Sequence, residues 1–360
     1  MRQRRSVNAR FNNQQMRGRA MSDPIRVGLI NCDTHGAYYA ALIGEHDPLL
    51  LQRPLPSGQP ARYSWMSGGA HFYFYTNYSD PQQITVETVE GFELTRVWDQ
   101  HRDAAQCLAR ICGGRPQVCD SYAEVSQDVD LVFIADCNGE GEDHLELARP
   151  GLEKGVPTFV DKPLARTFDQ ARAIVELGRQ YRAPVASLSI LRTLPQAARF
   201  ARRLDEVGPV QFGTVQGGGT SLAGHIHAVS LAQGIFGGGI ETVRSMGETP
   251  LQTVHLDYGG RLDRPARGVV LNCDVGAVWH CAFHASAYGP EAAVHSPPLS
   301  DFDFPLGAAE IMSQVRHMVH GGESPPLTQE MLEGVAVCQA ARLAQEEGRA
   351  VRVEEVENSD

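Results

Sequence analysis

Along the first half of the chain, short apolar runs alternate with amphipathic stretches. Ile25 to Ile30 (IRVGLI), Phe92 to Trp98, Leu131 to Ala135 (LVFIA) and Thr158 to Val160 have the unbroken, β-branched character of strands buried on both faces of a parallel sheet. Between them Ala37 to Ile43, Ala104 to Ile111, the short capped stretch Ser121 to Ser126, His144 to Lys154 and Phe168 to Tyr181 carry helical spacing. This alternation predicts an α/β fold, a doubly wound and mostly parallel Rossmann sheet. From about Glu45 to Gly91 the pattern gives way to proline, glycine and aromatic residues, Tyr63, Trp65, Phe72, Tyr73, Phe74, Tyr75 and Tyr78 among them. That stretch reads as an insertion. Its aromatics suit a lid, a stacking platform for a sugar ring, or a small satellite core.

Beyond Pro184 the texture changes. Val210 to Val215, Val254 to Tyr258, Val269 to Val275 and Val278 to Ala287 are strand-like with few helices between them, and a last helix runs from Thr328 to Glu347. The expectation is a C-terminal α+β domain on a large, mixed or antiparallel sheet. The domains predicted are a disordered basic tail (1–23), a dinucleotide-binding domain (24–184), a substrate and oligomerisation domain (185–327) and a closing helix and strand (328–353).

Composition narrows the class of function. At 360 residues, 42% hydrophobic and 21% charged, the chain is neither disordered nor fibrous. A net charge of −11 argues against a nucleic-acid partner and against an anionic membrane surface, since both want a basic face. No apolar run approaches the roughly 18 residues of a spanning helix. The eight cysteines are scattered without a C-x-x-C pair, which predicts reduced thiols in the cytoplasm. Arg4 and Arg5 are followed by no apolar stretch, so they do not make an export signal, and Met21 is a candidate start.

Lysine is almost absent, with Lys154 and Lys162 alone among 32 basic residues. A chain that spends arginine on its surface marks a retained lysine as a candidate for chemistry, because Lys can share its proton and Arg cannot. After the first strand, Asn31-Cys32-Asp33-Thr34-His35-Gly36 fills the six positions where a dinucleotide fold carries G-x-G-x-x-G, and only the last glycine remains. Asp33 puts a carboxylate where a helix N-terminus should attract a phosphate; alternatively Asp33 or Thr34 is simply a helix cap. Asp99, at the end of the second strand, stands where a carboxylate accepts from a ribose diol, but the insertion delays it. His280 and His284 are four apart, yet in a strand that spacing only puts them on one face, and no metal is expected.

The stretch Val129 to Ala165 (VDLVFIADCNGEGEDHLELARPGLEKGVPTFVDKPLA) resembles the Gfo/Idh/MocA family of nicotinamide-dependent sugar and polyol oxidoreductases. There a strand runs into a cofactor loop, here Asp136 and Asn138, then a helix starts near a histidine, here His144, and leads to E-K-P-(L/I)-A, here Asp161-Lys162-Pro163-Leu164-Ala165. Ser189 to Pro195 is similar to the family's N-x-R-x-x-P segment, and Gly224-His225-Ile226-His227-Ala228-Val229-Ser230 to its catalytic-histidine helix. Gly334 to Val351 resembles its closing segment, so the likeness runs from about Pro24 to Val353. Two glycines of the phosphate loop are missing. Ala223 and Ser230 replace acidic residues that often flank the histidine.

The resemblance implies hydride transfer between NAD, with NADP possible, and a secondary hydroxyl or ketone of a sugar or cyclitol. In that reading His227 is the general base and Lys162 the hydrogen-bond donor to the reacting oxygen. Cys32, Asp33, Thr34, His35, Asp99, Asp136, Asn138, His144, Asp161 and Lys162 meet the cofactor, while Arg192 and His225 meet the substrate. The partners implied are a small sugar or polyol and further copies of the chain, a homodimer or homotetramer through the C-terminal sheet. Two other readings stay open: a non-catalytic dinucleotide- or sugar-binding regulator, and NAD-assisted glycoside cleavage through a transient ketone.

Overall fold

Strands read from unbroken apolar runs need cover on both faces, and the first sheet supplies it. In the computed structural model, which describes residues 23–52, 63, 69–75, 86–276 and 282–359, that sheet has six strands. They are β1 (Ile25–Ile30), β2 (Phe92–Trp98), β3 (Gln117–Val118), β4 (Leu131–Ile134), β5 (Thr158–Val160) and β6 (Val185–Ala186). All pair in parallel, in the order β3-β2-β1-β4-β5-β6. β6 extends the sheet just past the boundary expected at 184. Strand order reverses between β1 and β4, and the crevice beyond the carboxyl ends at such a switch point is where an α/β sheet offers a ligand site.

Helix α1 (Thr34–Ile43) follows β1, α2 (His144–Glu153) follows β4 and α3 (Phe168–Tyr181) follows β5. α3 is amphipathic and starts on Thr167, whose hydroxyl accepts from the Gln170 amide at 3.3 Å. α1 is apolar almost all round, with nine of its ten residues buried. The insertion explains this. Tyr73 meets Tyr38 edge-on and Phe74 lies tilted against it, with ring centroids 5.6 and 4.5 Å away, so the described part of the insertion forms a satellite core over α1. Trp65 and Tyr78 of the insertion lie outside the described residues, as do the basic tail before Asp23 and Met21.

The second sheet is mixed. β7 (Phe212–Gln216), β8 (Thr242–Met246), β9 (Thr253–Asp257), β10 (Val269–Asn272), β11 (Ala282–Tyr288), β12 (Ala293–His295), β13 (Leu299–Ser300) and β14 (Val351–Arg352) form it. The order is β12-β11-β7-β10-β9-β8-β14, with β13 on β11. β7 and β10 run parallel, and the other pairs are antiparallel. Helix α4 (Leu222–Phe236) packs on β7, and α6 (Leu327–Glu347) packs on α4, on β8 and back on α3. The expectation of few helices in this half is corrected by α5 (Phe304–Gly321). Its buried Ile311, Met312, Val315, Met318 and Val319 keep helical spacing and face α1 and the short helix Ile190–Thr193. Of the strand expected from Val278 to Ala287, residues 277–281 and with them His280 lie outside the described residues, while His284 is exposed on β11. Among the described residues no helix is long and apolar enough to cross a membrane.

Candidate active site

The loop after β1 keeps a dinucleotide loop's shape without two of its glycines. Asn31 adopts φ +67°, a left-handed conformation that Asn tolerates better than most residues, and its side-chain Nδ2 donates to the Ala135 carbonyl at 2.9 Å. Gly36 cannot be replaced: a Cβ there would stand 2.2 Å from the Asn31 carbonyl oxygen. Between them Asp33 is extended (φ −78°, ψ −166°) and wholly buried. Its Oδ1 accepts from the Gly36 amide at 2.9 Å and its Oδ2 from the Cys137 amide at 2.7 Å. Asp33 thus caps α1 and ties the β1 loop to the β4 loop. Thr34, first residue of α1, is buried behind it.

Asp99 ends β2 at the same crevice and is buried. It accepts from the Cys32 amide (2.7 Å), the His101 amide (2.8 Å) and the Tyr63 hydroxyl (2.8 Å). Tyr63 belongs to the insertion, and nothing in the sequence pattern ties it to Asp99.

The strongest electrostatics lie at the end of β5. Asp161 is buried; its Oδ1 accepts from the Lys162 amide at 2.8 Å, and its Oδ2 accepts from the Asp136 amide at 3.1 Å. The same Oδ2 stands 2.6 Å from His35 Nδ1. Burial works against a charged His35, but the adjacent Asp161 carboxylate outweighs it and holds the imidazole well above its ordinary range. Burial pushes Asp161 up and His35 with Lys162 pulls it below the usual carboxylate value, so the pair is an ion pair. Lys162 itself is 4% exposed and joined to Pro163 by a cis peptide.

Helix α4 brings the last member. It starts hard against the 217–219 loop, where a Cβ on Gly224 would stand 1.5 Å from the Gly218 carbonyl oxygen. That approach points His227 at the crevice, with its Nδ1 2.7 Å from Ser189 Oγ. Burial, then the Lys162 and His35 charges, hold His227 well below the ordinary histidine range, so it is a neutral imidazole at neutral pH. Four separated segments therefore meet: His35, Asp161 with Lys162, Ser189 and His227. Ser189 was missed by sequence reasoning. It also caps the short helix Ile190–Thr193 by accepting from the Leu191 amide at 3.2 Å, and no spacing signal links it to a residue 38 positions away.

Several expected contacts go elsewhere. His144 is fully buried, with Nδ1 donating to the Leu164 carbonyl at 3.2 Å and Nε2 3.2 Å from the buried Asp136 carboxylate. Burial opposes a charged His144, but Asp136 raises it, and the pair braces the β4 loop against the Lys162 motif. Asn138 is exposed in a left-handed turn, φ +63°. Arg192 is engaged by Glu330, its Nε and Nη2 at 3.0 and 2.7 Å from one carboxylate oxygen. His225 is fully buried with Nδ1 3.1 Å from Cys273 Sγ. It sits two residues from His227, about 200° around the helix, and so faces the core. Arg192 and His225 thus both have partners within the protein, and the substrate roles expected for them rest on the resemblance alone.

These elements form a Rossmann sheet joined to a second, mixed sheet, and comparison with known proteins finds the same fold. The model of the Gfo/Idh/MocA group, described as an oxidoreductase family with an NAD-binding Rossmann fold, matches residues 70–187. Over those residues the chain is similar to that family. Similar solved structures include the myo-inositol 2-dehydrogenase of Lactobacillus plantarum, at 12% identity, 92% of this chain, 99% of that one and TM-score 0.66. The myo-inositol dehydrogenase of Corynebacterium glutamicum gives 14%, 91%, 98% and 0.64. An oxidoreductase of Agrobacterium radiobacter in complex with NAD+, L-tartaric acid and magnesium gives 14%, 92%, 98% and 0.64. At such identities the likeness carries the fold alone. No curated protein matched the sequence.

The cofactor of this Gfo/Idh/MocA domain type is NAD. Asp99, after β2, could accept from a ribose diol, and Lys162, after β5, could stand with His227 at the reacting end of the cofactor. At the centre of the crevice the chain carries its own anion, Asp33, on the Gly36 amide of α1 and the Cys137 amide of the β4 loop.

Proposed function

We propose that the protein oxidises a secondary hydroxyl of a sugar or cyclitol to a ketone, reversibly, with NAD. The observation that supports this most is the meeting of a buried Lys162 from the Rossmann domain with a neutral His227 from the second domain. Neutral His227 takes the hydroxyl proton. Lys162 donates a hydrogen bond to the same oxygen and stabilises the alkoxide as it forms. When bound, NAD supplies the hydride acceptor for the electrons of the carbon–hydrogen bond. The His35–Asp161 ion pair holds the Lys162 loop in place while the proton moves. Asp99 would hold the adenosine ribose and disfavour the 2′-phosphate of NADP.

A carboxylate already seated on the Gly36 amide of α1 favours a second reading, a dinucleotide-binding regulator without turnover. We place self-association on the outer face of the second sheet, where Met246 and Tyr288 are exposed. Seven buried cysteines among the described residues accord with a reducing compartment.

The test is NADH formation with a panel of sugars and cyclitols. His227→Ala should lower turnover by about 10²–10⁴-fold with NAD affinity unchanged. With wild-type protein the oxidation rate should stay flat down through the ordinary histidine range and fall only below it, because the base is already neutral there. NAD binding with no oxidation of any member by wild type would leave the regulator.

A further inference from the structure

We propose that Asp33 is an internal competitor of the cofactor's pyrophosphate and sets the protein's dinucleotide affinity low. The inference rests on the dehydrogenase reading and concerns how that site is filled. In a Rossmann domain the pyrophosphate lies at the N-terminus of the helix after β1, against its free amides, with the motif's second glycine placed so that nothing stands between. Here Asp33 takes the place of that second glycine and its backbone does not need a glycine: φ −78°, ψ −166° is open to any residue. What the substitution changes is the space and the charge. The carboxylate is wholly buried and spans the crevice, with one oxygen on the Gly36 amide of α1 and the other on the Cys137 amide of the β4 loop. An ordinary cap would satisfy α1 alone and stay wet. This one bridges the two loops between which a dinucleotide has to lie, and supplies the negative charge that the helix end would otherwise draw from a phosphate.

The surrounding loop shows that this replaces the phosphate without wrecking its cradle. Asn31 retains the left-handed turn and Gly36 retains the close helix approach, so the cradle is preserved around the wrong anion. For a dinucleotide to bind, Asp33 has to give up both amides and turn away, and until it does a phosphate meets like charge at close range. Binding is therefore a displacement.

The experiment uses the full chain as wild type, Asp33→Asn and Asp33→Gly. NAD, ADP and adenosine are titrated calorimetrically, and thermal melting without ligand is measured alongside. Asn keeps a cap acceptor and removes the charge; Gly also opens the space. Both variants should melt lower, and both should bind NAD and ADP at least about tenfold tighter, the factor that 1.4 kcal/mol represents, with adenosine unchanged. If melting falls while NAD and ADP bind no tighter than to wild type, Asp33 is a cap and the proposal is overturned; measurable NAD binding by wild type then leaves the dehydrogenase reading standing. An equal gain for adenosine overturns it too, since that is loosening of the pocket and not relief of charge. If none of the three proteins binds NAD or ADP, both the proposal and the dehydrogenase reading fall.

Discussion

The placement of His225 can be tested through acid stability, because the core and the crevice make opposite demands on an imidazole. Against Cys273, burial pushes His225 down to about 4, with a weaker upward pull from the Leu251 backbone. Its ordinary value is 6.5. The folded protein therefore keeps His225 neutral over a range in which the unfolded chain takes up a proton. Its contribution to stability is complete above 6.5, falls as pH drops, and is lost by about 4. At about 1.4 kcal/mol per pH unit, the interval is worth about 3 kcal/mol, a large share of a typical domain's stability. Urea unfolding of wild type and His225→Leu at several pH values between 7 and 4 isolates it, since the other titrating groups cancel in the difference between the two proteins. Leu costs some stability at pH 7 but removes the titration, so wild type should lose about 3 kcal/mol more than the variant across the range. Equal losses in the two proteins would refute the core placement. So would a variant of unchanged stability whose KM for substrate rises.

Lys162→Arg should abolish most turnover while leaving melting nearly unchanged, because the guanidinium keeps the charge but is larger and cannot share its proton in the same way; a variant retaining most of its rate would reduce Lys162 to a structural cation. Ser189→Ala removes the hydroxyl beside His227 Nδ1, and loss of one neutral hydrogen bond should lower kcat by about two- to tenfold with KM for NAD unchanged. Ser189→Thr, which keeps the hydroxyl, should recover most of that rate; equal losses in both variants would mean packing and not positioning.

Much of this molecule was legible in its sequence because the signals are local. Continuous apolar runs can be buried only inside a two-sided sheet, and so Ile25–Ile30 and Leu131–Ile134 declared the parallel core. The motif around Lys162 placed a lysine at the end of a strand, where an α/β sheet keeps its chemistry. Asn31 and Gly36 preserved a loop whose consensus had been lost, since the left-handed turn and the close approach are properties of single residues. What the tertiary structure alone decided is direction and partnership. His225 and His227 share a helix and differ only by rotation, and spacing gives their relative angle but never which of them faces the core. Arg192 finds Glu330, His35 finds Asp161 and Asp33 reaches Cys137 across separations of 138, 126 and 104 residues. No local pattern encodes such pairs. A charged or polar group takes whichever partner the packed fold brings within hydrogen-bond reach, and that is settled only when the sheets and helices have closed around it.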